Sequence, residues 1–378
     1  MERFTKYRLG DIAEMRYGKL PPEFIKSGMY PVYSGYRYVG YTDSFNCSKG
    51  TIIVVARGVG GTGDVKLIEQ DCYLTNLSIS VVLNPSICDP AYFYYKFFKN
   101  NLRYLDSGSA QSQITIDDLK RLEVSLPSLL EQQRIIRILK SFDDKIALNN
   151  RINHNLEEQA QALYKSWFVD FEPFKNGKFV DSELGIIPEG WRVLPFSAFV
   201  QISNEKVDSE FIPEFSVTNT GIIPRDAKFN KQLSASSLKN KITRKGDLVF
   251  GMSREILNWG VMKDVVGGVS SAYTVYKIDK QIMDEDFLRL YIQHHPEYFK
   301  DLIKPAAREG QGIDKKVLAS KKIYIPEDTL WIGFKEKINS LVEAQHQLMN
   351  QTDLLANLRD EVLPTLMERS PMSQNLNC

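Results

Sequence analysis

The segment PSLLEQQRIIRILKSFDDKIALNNRINHNLEEQAQALYKSWF, residues 127–168, decides how the chain is organised. Ser128 and Glu131 open it as a helix-start signal of the capping-box type. After them, residues at alternating spacings of four and three form a single seam, which is typical of a helix packed along its length on another helix. These seam residues are Ile135, Leu139, Phe142, Ile146, Asn149, Asn153, Leu156, Ala160, Leu163 and Trp167. About 40 such residues predict a helical rod of roughly 60 Å.

A second segment with the same spacing begins after Pro326. Its seam residues are Phe334, Ile338, Leu341, Gln345, Leu348, Thr352, Leu355, Arg359, Val362 and Leu366. Three polar or charged residues interrupt this seam, and Arg359 is the bulkiest of them. The interruptions predict that this face is not wholly buried in the helix pair.

The sequences before the two rods match when they are shifted by 199 residues. Leu119, Val124 and Leu126 then coincide with residues of the same apolar type, namely Leu318, Ile323 and Ile325. Further upstream, residues 50–54 resemble residues 246–250, and residues 7–9 resemble residues 191–194. The chain is therefore predicted to contain two copies of one unit, a β-rich globule followed by a rod.

This repeat predicts an α+β fold with a pseudo-two-fold axis. Two β-rich globules are separated by two long helices, which form an antiparallel coiled coil because the chain must return from the second globule to the first. The predicted boundaries are 1–127 and 173–326 for the globules, 128–172 and 327–370 for the helices, and 371–378 for a disordered tail. Within the first globule, strands are predicted at 30–33, 51–56 and 77–83, and a helix at 90–99.

Near two-fold symmetry also predicts the register of the coiled coil. The start of one seam then faces the end of the other, which places Ile135 opposite Leu366 and Trp167 opposite Phe334. Asn149 falls opposite Thr352 at the middle of the rod. Polar pairs buried in a coiled coil weaken it but fix its register, because a slipped pairing leaves them unsatisfied.

Composition leaves the class of partner open. The 378 residues allow two or three domains, and 48 basic residues balance 47 acidic ones, so only a local patch could bind nucleic acid. The four cysteines form no CxxC pair, which favours reduced thiols. The N-terminus lacks an apolar signal region, and no apolar run is long enough to span a bilayer. We therefore expect a soluble, cytoplasmic protein that does not enter a membrane.

Three polar loops in the first globule, at 34–38, 57–63 and 107–113, have counterparts in the second at 218–221, 253–259 and 307–312. Arginine and glutamine read guanine and adenine edges bidentately, and glycines let backbone N–H groups approach phosphates. The alternative is that these loops are ordinary surface turns. The candidate DNA-binding residues are Tyr33, Ser34, Tyr36, Arg37, Arg57, Thr62, Ser109, Gln111, Gln113, Asn219, Thr220, Arg254, Asn258, Arg308 and Gln311.

No pattern in the sequence indicates catalysis or a metal site. Gly58 and Gly63 have the spacing of a phosphate-binding loop, but Asp64-Val65 follows where lysine and a hydroxyl residue should stand. His294 and His295 are adjacent, so on a helix they point in different directions and do not form a ligand pair. Asp64 and Lys66 lack the further acidic partner of a nuclease core.

Several short motifs in this order resemble the specificity (S) subunit of type I restriction–modification systems. They are Gln132-Gln133-Arg134-Ile135-Ile136, Ile152-Asn153-His154-Asn155-Leu156-Glu157, Ala160-Gln161-Ala162-Leu163-Tyr164 and Ile187-Pro188-Glu189-Gly190-Trp191. The resemblance covers nearly the whole chain. It implies that each globule is a target-recognition domain for one half of a bipartite double-stranded DNA sequence, and that the coiled coil sets the spacer.

The resemblance further implies that this chain is not itself an enzyme and binds no cofactor. Two methylation (M) subunits and the restriction (R) subunits would dock on it and would bind S-adenosylmethionine, ATP and Mg. Apolar residues off the seams, namely Ile136, Ile138, Trp331, Leu354 and Leu358, are predicted to seat the M subunits, unless they only cover the globules. The alternatives are a recognition subunit of a related fused restriction–methylation system, or a coiled-coil scaffold whose globules bind protein or carbohydrate.

Overall fold

The computed structural model describes residues 4–20, 23–35, 37–58, 61–99, 101–106, 113–209, 211–219, 221–225, 237–253, 256–303, 313–326 and 328–367. The chain divides into two compact units, residues 1–151 with 348–378, and residues 152–347. Each unit combines one globule with the beginning of one long helix and the end of the other. The predicted tail at 371–378 lies outside the described residues.

The first unit contains the first globule. Its elements are β1 (Thr5–Arg8), α1 (Leu9–Ile12), β2 (Ala13–Tyr17), β3 (Tyr30–Ser34), β4 (Arg37–Thr42), β5 (Ile52–Val55), β6 (Val65–Leu67), β7 (Tyr73–Leu74), β8 (Ser78–Leu83), α2 (Pro90–Phe97), α3 (Ile116–Arg121), β9 (Glu123–Leu126) and α4 (Leu129–Phe168), of which α4 continues into the second unit. The predicted strands at 30–33, 51–56 and 77–83 and the helix at 90–99 are confirmed, within a few residues, as β3, β5, β8 and α2.

Three sheets form this globule, in the strand orders β2-β8-β5-β6, β4-β3-β7 and β1-β9. The central strand β5 is buried along its whole length, which agrees with its uninterrupted run of Ile and Val. The core between the large sheet, α2 and α3 continues onto the helix pair through Ile135, Leu139, Leu363 and Met367.

The second unit contains the second globule. Its elements are β10 (Phe179–Ser182), β11 (Gly185–Pro188), β12 (Arg192–Pro195), β13 (Val200–Ser203), β14 (Phe215–Thr218), β15 (Gly221–Pro224), β16 (Lys241–Arg244), β17 (Leu248–Ser253), β18 (Ile256–Val261), β19 (Val266–Val269), β20 (Thr274–Ile278), α5 (Glu285–His294), α6 (Lys315–Ser320), β21 (Lys322–Ile325) and α7 (Asp328–Met367), of which α7 continues into the first unit. Its large sheet has the order β13-β20-β17-β18, which repeats β2-β8-β5-β6.

The internal repeat is confirmed, with one correction. A shift of 199 residues superimposes the bounds of α3 on α6, of β9 on β21 and of α4 on α7. The predicted match of residues 7–9 with 191–194 is three residues out of step, because Leu9 donates its N–H to Leu122 O and Phe196 donates its N–H to Lys321 O, both at 2.8 Å. Leu9 is therefore the counterpart of Phe196. The strand pairing, which the sequence does not display, fixes this alignment.

Each long helix spans 40 described residues. The first ends at Phe168 rather than at the predicted residue 172, whereas residues 368–370, at the predicted end of the second, lie outside the described residues. At the end of α4 the N–H of Asp170 bonds to Lys165 O at 2.8 Å. Phe171 then adopts a left-handed conformation with a φ of 52°, the only positive φ among the described residues other than glycine. A residue in that conformation turns the chain away from the helix axis.

The antiparallel arrangement and its register are confirmed within each unit. In the first unit, Asn149 Nδ2 lies 3.3 Å from Thr352 Oγ1 and 3.0 Å from Gln351 Oε1. In the second unit, the rings of Trp167 and Phe334 are 5.8 Å apart. All predicted seam residues are buried or half-buried. Asn149 is fully buried, and its Oδ1 has no hydrogen-bond partner among the described residues.

Replacing both Asn149 and Thr352 with leucine is expected to raise the stability of the first unit by about 1–2 kcal/mol, because a buried polar atom without a partner is removed. Differential scanning calorimetry measures the change. Asn150→Leu, an exposed neighbour on the same helix, is the control and should change little. A lower melting temperature in the double variant would show that the polar pair stabilises the coil.

Candidate nucleic-acid interface

One described residue from each of three predicted loops, namely Gly35, Arg57 and Gln113, lies at one end of the large sheet of the first globule. Gly35, in the turn between β3 and β4, accepts a hydrogen bond from Ser78 Oγ at 3.2 Å. A Cβ built on Gly35 would lie 3.8 Å from the carbonyl oxygen of Arg57. Arg57 in turn forms an antiparallel bridge with Gln113. The structure therefore brings together residues that lie between 22 and 78 positions apart in the sequence.

Backbone hydrogen bonds hold Arg57 and Gln113 in this arrangement. Arg57 N donates to Leu77 O at 3.3 Å, and Ile114 N donates to Ala56 O at 2.9 Å. Gln113 N donates to a carboxylate oxygen of Asp106 at 3.2 Å. The side chain of Arg57 is exposed and that of Gln113 is half-exposed. Side chains that can read guanine and adenine edges thus project from one fixed piece of backbone.

The β3–β4 hairpin contributes aromatic rings next to this point. Tyr33 is half-buried, and burial raises the pKa of its hydroxyl. Ser34 Oγ accepts a hydrogen bond from Thr75 Oγ1 at 3.3 Å. Arg37 and Tyr38 are exposed. Tyr38, which we did not predict as a DNA contact, is more exposed to solvent than Tyr33. Its position beside Arg37 in a loop rich in aromatic residues could have indicated it.

Two predicted contact residues are buried, and their prediction is corrected. Thr62 is 3% exposed and its Oγ1 donates to Gly58 O at 3.2 Å. Asn258 is 7% exposed and lies within β18, opposite Gly251, rather than in a loop. Both side chains are therefore too buried to contact a ligand.

The glycine-rich loop has a packing role that the sequence did not reveal. Gly63, with a φ of +91°, accepts a hydrogen bond from Leu102 N at 2.8 Å. A Cβ at Gly63 would lie only 2.3 Å from Arg103 N. At least this glycine is required by the close approach of another backbone segment and not by a phosphate.

In the second globule, the β14–β15 hairpin occupies the place of β3–β4. Thr218 Oγ1 donates to Gly221 O at 3.0 Å and closes the turn, which exposes Asn219. The hairpin packs on β18, where a Cβ on Gly260 would lie 2.9 Å from Ile222 Cγ1. The remaining predicted contacts lie outside the described residues: Tyr36, Ser109, Gln111, Thr220, Arg254, Arg308 and Gln311.

The predicted partner surface is smaller than the sequence indicated. Ile138, Leu354 and Leu358 are exposed on the long helices. Ile136 packs against the core of the first unit. Trp331 packs against the core of the second, with its ring 4.8 Å from that of Phe287. Both residues are half-buried and pack against their own globules, as in the alternative that they only cover the globules.

Gln132 is a structurally central residue to which the sequence analysis assigned no role. It is fully buried, and its Oε1 accepts from Asp89 N at 2.9 Å. Its Nε2 donates to Ile87 O at 2.9 Å and to Pro127 O at 3.0 Å. Asp89 caps α2 by accepting from Ala91 N at 2.8 Å. Its burial could have been predicted, because Gln132 lies three residues before Ile135, at the next seam position towards the N-terminus.

His294 is part of a packed interior and not of a ligand pair. His294 stacks on Tyr164 with ring centroids 5.0 Å apart, and burial lowers its pKa. Among the described residues, no three His, Cys, Asp or Glu side chains cluster as a metal site would require. No helix in the described parts of the chain is long and apolar enough to cross a membrane.

The amino-acid sequence of the chain is similar to those of known proteins. Residues 1–158 match the family described as "Type I restriction modification DNA specificity domain". The chain is 26% identical over 340 residues to the type I restriction enzyme MjaIX specificity subunit of Methanocaldococcus jannaschii, which covers 84% of this chain and 77% of that protein. It is 22% identical to the MjaVIII specificity subunit of the same organism, with 100% and 95% covered. A segment of 124 residues is 35% identical to the HindI specificity subunit of Haemophilus influenzae, covering 30% and 27%.

A solved structure has the same fold. The crystal structure of the type I restriction–modification S subunit from M. genitalium aligns with a TM-score of 0.60 at 15% identity and covers 98% of this chain and 97% of that one. At this identity the likeness concerns the fold alone. The family match at the first globule and the relatives that span most of the chain agree with the repeat of globule and long helix, and the chain is similar to the specificity subunits of type I restriction–modification systems.

Proposed function

We propose that each globule of this chain binds one half of a bipartite duplex DNA target and that the coiled coil sets the number of base pairs between the halves. The observation that carries the proposal is the meeting of the Gly35, Arg57 and Gln113 loops on one fixed end of the first sheet. Polar side chains held on rigid backbone are what direct readout of base edges needs.

The near balance of 48 basic and 47 acidic residues fits a subunit that reads bases but leaves much of the phosphate binding to its partners. We propose that two M subunits dock on the exposed apolar residues of the long helices, among them Ile138, Leu354 and Leu358, and that R subunits join for cleavage. The chain itself would be non-catalytic. S-adenosylmethionine, ATP and Mg would be bound by those partners, and the complex would act on DNA in the cytoplasm.

Expression with the M subunit of the same system, followed by mapping of methylated adenines in the DNA of the expressing cells, tests the proposal. We expect one bipartite sequence with a fixed spacer. The logarithm of the binding constant of the complex for a duplex with that sequence should fall linearly with the logarithm of salt concentration. The affinity should also exceed that for a scrambled duplex. A scaffold that binds protein or carbohydrate would show neither behaviour.

Replacing Arg57 with alanine is expected to weaken binding by about 1–3 kcal/mol and to relax selectivity in one half-site only. Competition binding against duplexes that carry single substitutions in each half measures this. Lys6→Ala removes an exposed cation from another sheet of the same globule and is the control. Full affinity and unchanged selectivity at both halves in Arg57→Ala would contradict the assignment.

A further inference from the structure

A group of charged side chains joins the first globule to both long helices. Arg359 of α7 donates from Nη1 to Asp143 of α4 at 2.6 Å. Tyr95 of α2 donates its hydroxyl to the other carboxylate oxygen of Asp143, also at 2.6 Å. Arg359 also bonds to Asp360, whose carboxylate pairs with Lys99 at 2.5 Å. We call this group the first charge node, defined by Tyr95, Lys99, Asp143, Arg359 and Asp360.

Arg359 is the residue on which this node depends. Its side chain is 15% exposed and also contacts Phe98 of the globule, so this part of the seam is not wholly buried in the helix pair, as predicted. Its guanidinium carbon lies 4.8 Å from the centre of the Phe98 ring, a cation–π arrangement. A planar guanidinium with several fixed donors can hold three elements at one geometry, which a flexible single-point cation cannot.

The second unit contains a node of different composition, which we call the second charge node. Arg289 of α5 donates to Glu157 of α4 at 2.7 Å, and the two side chains are 12% and 23% exposed. Gln345 of α7 donates to the same carboxylate at 3.4 Å, and Gln161 of α4 donates at 3.1 Å. Burial of Glu157 opposes its ionisation, but the charge of Arg289 and these hydrogen bonds prevail and lower its pKa to about 2.

The two nodes do not occupy equivalent positions of the repeat. A shift of 199 residues relates Arg359 to the buried Ala160, and not to a residue of the second node. In both units, however, a partly buried arginine–carboxylate pair takes part in linking the helix that lies against the large sheet, α2 or α5, to α4 and α7. Both nodes therefore connect a globule to the helix pair.

We propose that Arg359 and Arg289 are positioning residues, each of which fixes the orientation of one recognition globule on the long helices and so confines the enzyme to a single spacer length. This inference rests on the proposed function. Apolar packing holds the globules on the helices with little directional preference, whereas hydrogen-bonded ion pairs fix orientation. A globule free to rotate slightly on the helices would accept half-sites at neighbouring separations.

The test uses the full chain co-expressed with its M subunit and duplexes that carry the mapped target with its own spacer, or with a spacer one base pair shorter or longer. The variants are Arg359→Met, which keeps the apolar stem, Arg359→Lys, which keeps the charge, and Tyr95→Phe, which removes one hydrogen bond. Lys140→Met is the control, because it deletes an exposed ion pair between two residues of α4, Lys140 and Asp144. Arg289→Met tests the second node.

We expect Arg359→Met to retain methylation of the cognate duplex within a few-fold, while the preference for the cognate spacer falls by about tenfold, since small displacements are costly only where geometry is rigid. Arg359→Lys should recover part of the preference, and Lys140→Met should leave it unchanged. If Arg359→Met does not fold, the preference measured for Tyr95→Phe and Arg359→Lys decides.

An unchanged spacer preference in the folded variants, whether or not their melting temperatures fall, would overturn the inference and leave the nodes a purely structural role. The proposed function fails in a different way: the unsubstituted complex would then show no preference for any bipartite duplex. The two failures are thus distinguished by the unsubstituted complex.

Discussion

Replacing Phe168 with alanine is expected to lower the free energy of unfolding of the second unit by about 3–5 kcal/mol, the range for a large aromatic removed from a packed core. Phe168 is 1% exposed at the end of α4. Its ring meets those of Phe287 and Phe334 edge-on, at 4.9 Å and 4.6 Å. Few surrounding side chains could fill the space, because the neighbours are rigid rings.

The native tryptophans of the chain can serve as the fluorescent probe for this experiment. All four tryptophans, at positions 167, 191, 259 and 331, belong to the second unit. Urea unfolding followed by tryptophan fluorescence therefore reports on that unit. Phe211→Ala is the matched control, since Phe211 is 96% exposed in the same unit and should change stability by less than about 0.5 kcal/mol. Equal effects of the two substitutions would contradict the packing that we describe.

Replacing Gln132 with methionine is expected to destabilise the first unit by about 3 kcal/mol, because it removes the partners of one backbone N–H and two carbonyl groups in the interior. Methionine is close to glutamine in size, so the loss reports on hydrogen bonding rather than on a cavity. The N–H of Asp89 should exchange with deuterium much faster, and α2 should become less protected.

Hydrogen exchange measured by mass spectrometry checks this prediction at the segment of Asp89 and at α2. Gln133→Met is the control, because Gln133 is the adjacent residue and its side chain is exposed. The prediction would be wrong if Asp89 remained as protected in Gln132→Met as in the control.

The long helices and the repeat could be predicted because their signals are local and periodic. A heptad seam over 40 residues predicts a coiled coil. The pseudo-two-fold symmetry of the repeat then predicted its register, including the contact between Asn149 and Thr352. The alignment of residues 7–9 failed because short strands carry few distinguishing residues, and only the pairing of β1 with β9 and β12 with β21 fixes it.

The candidate site was predictable only in part, because burial depends on tertiary neighbours. Thr62 and Asn258 have the polarity of surface contacts but lie inside the globules. Trp331 has the appearance of an exposed apolar residue on the helix, yet it meets Phe287. Arg359 was correctly noticed as an interruption of the seam, but its partners Asp143 and Phe98 come from elements that the periodicity of α7 cannot reveal.

The bridge between Arg57 and Gln113 bears on attempts to redesign the target of such a protein. The segments of Arg57 and Gln113 share backbone hydrogen bonds, and Gly35 lies beside Arg57, so we expect the three to move together. A substitution or insertion in one loop would displace the side chains of the others, so the effects of single changes on base preference would depend on one another. New specificities should therefore be sought by exchanging all of these loops together. Substituting single loop residues, to change one recognised base at a time, should be less successful.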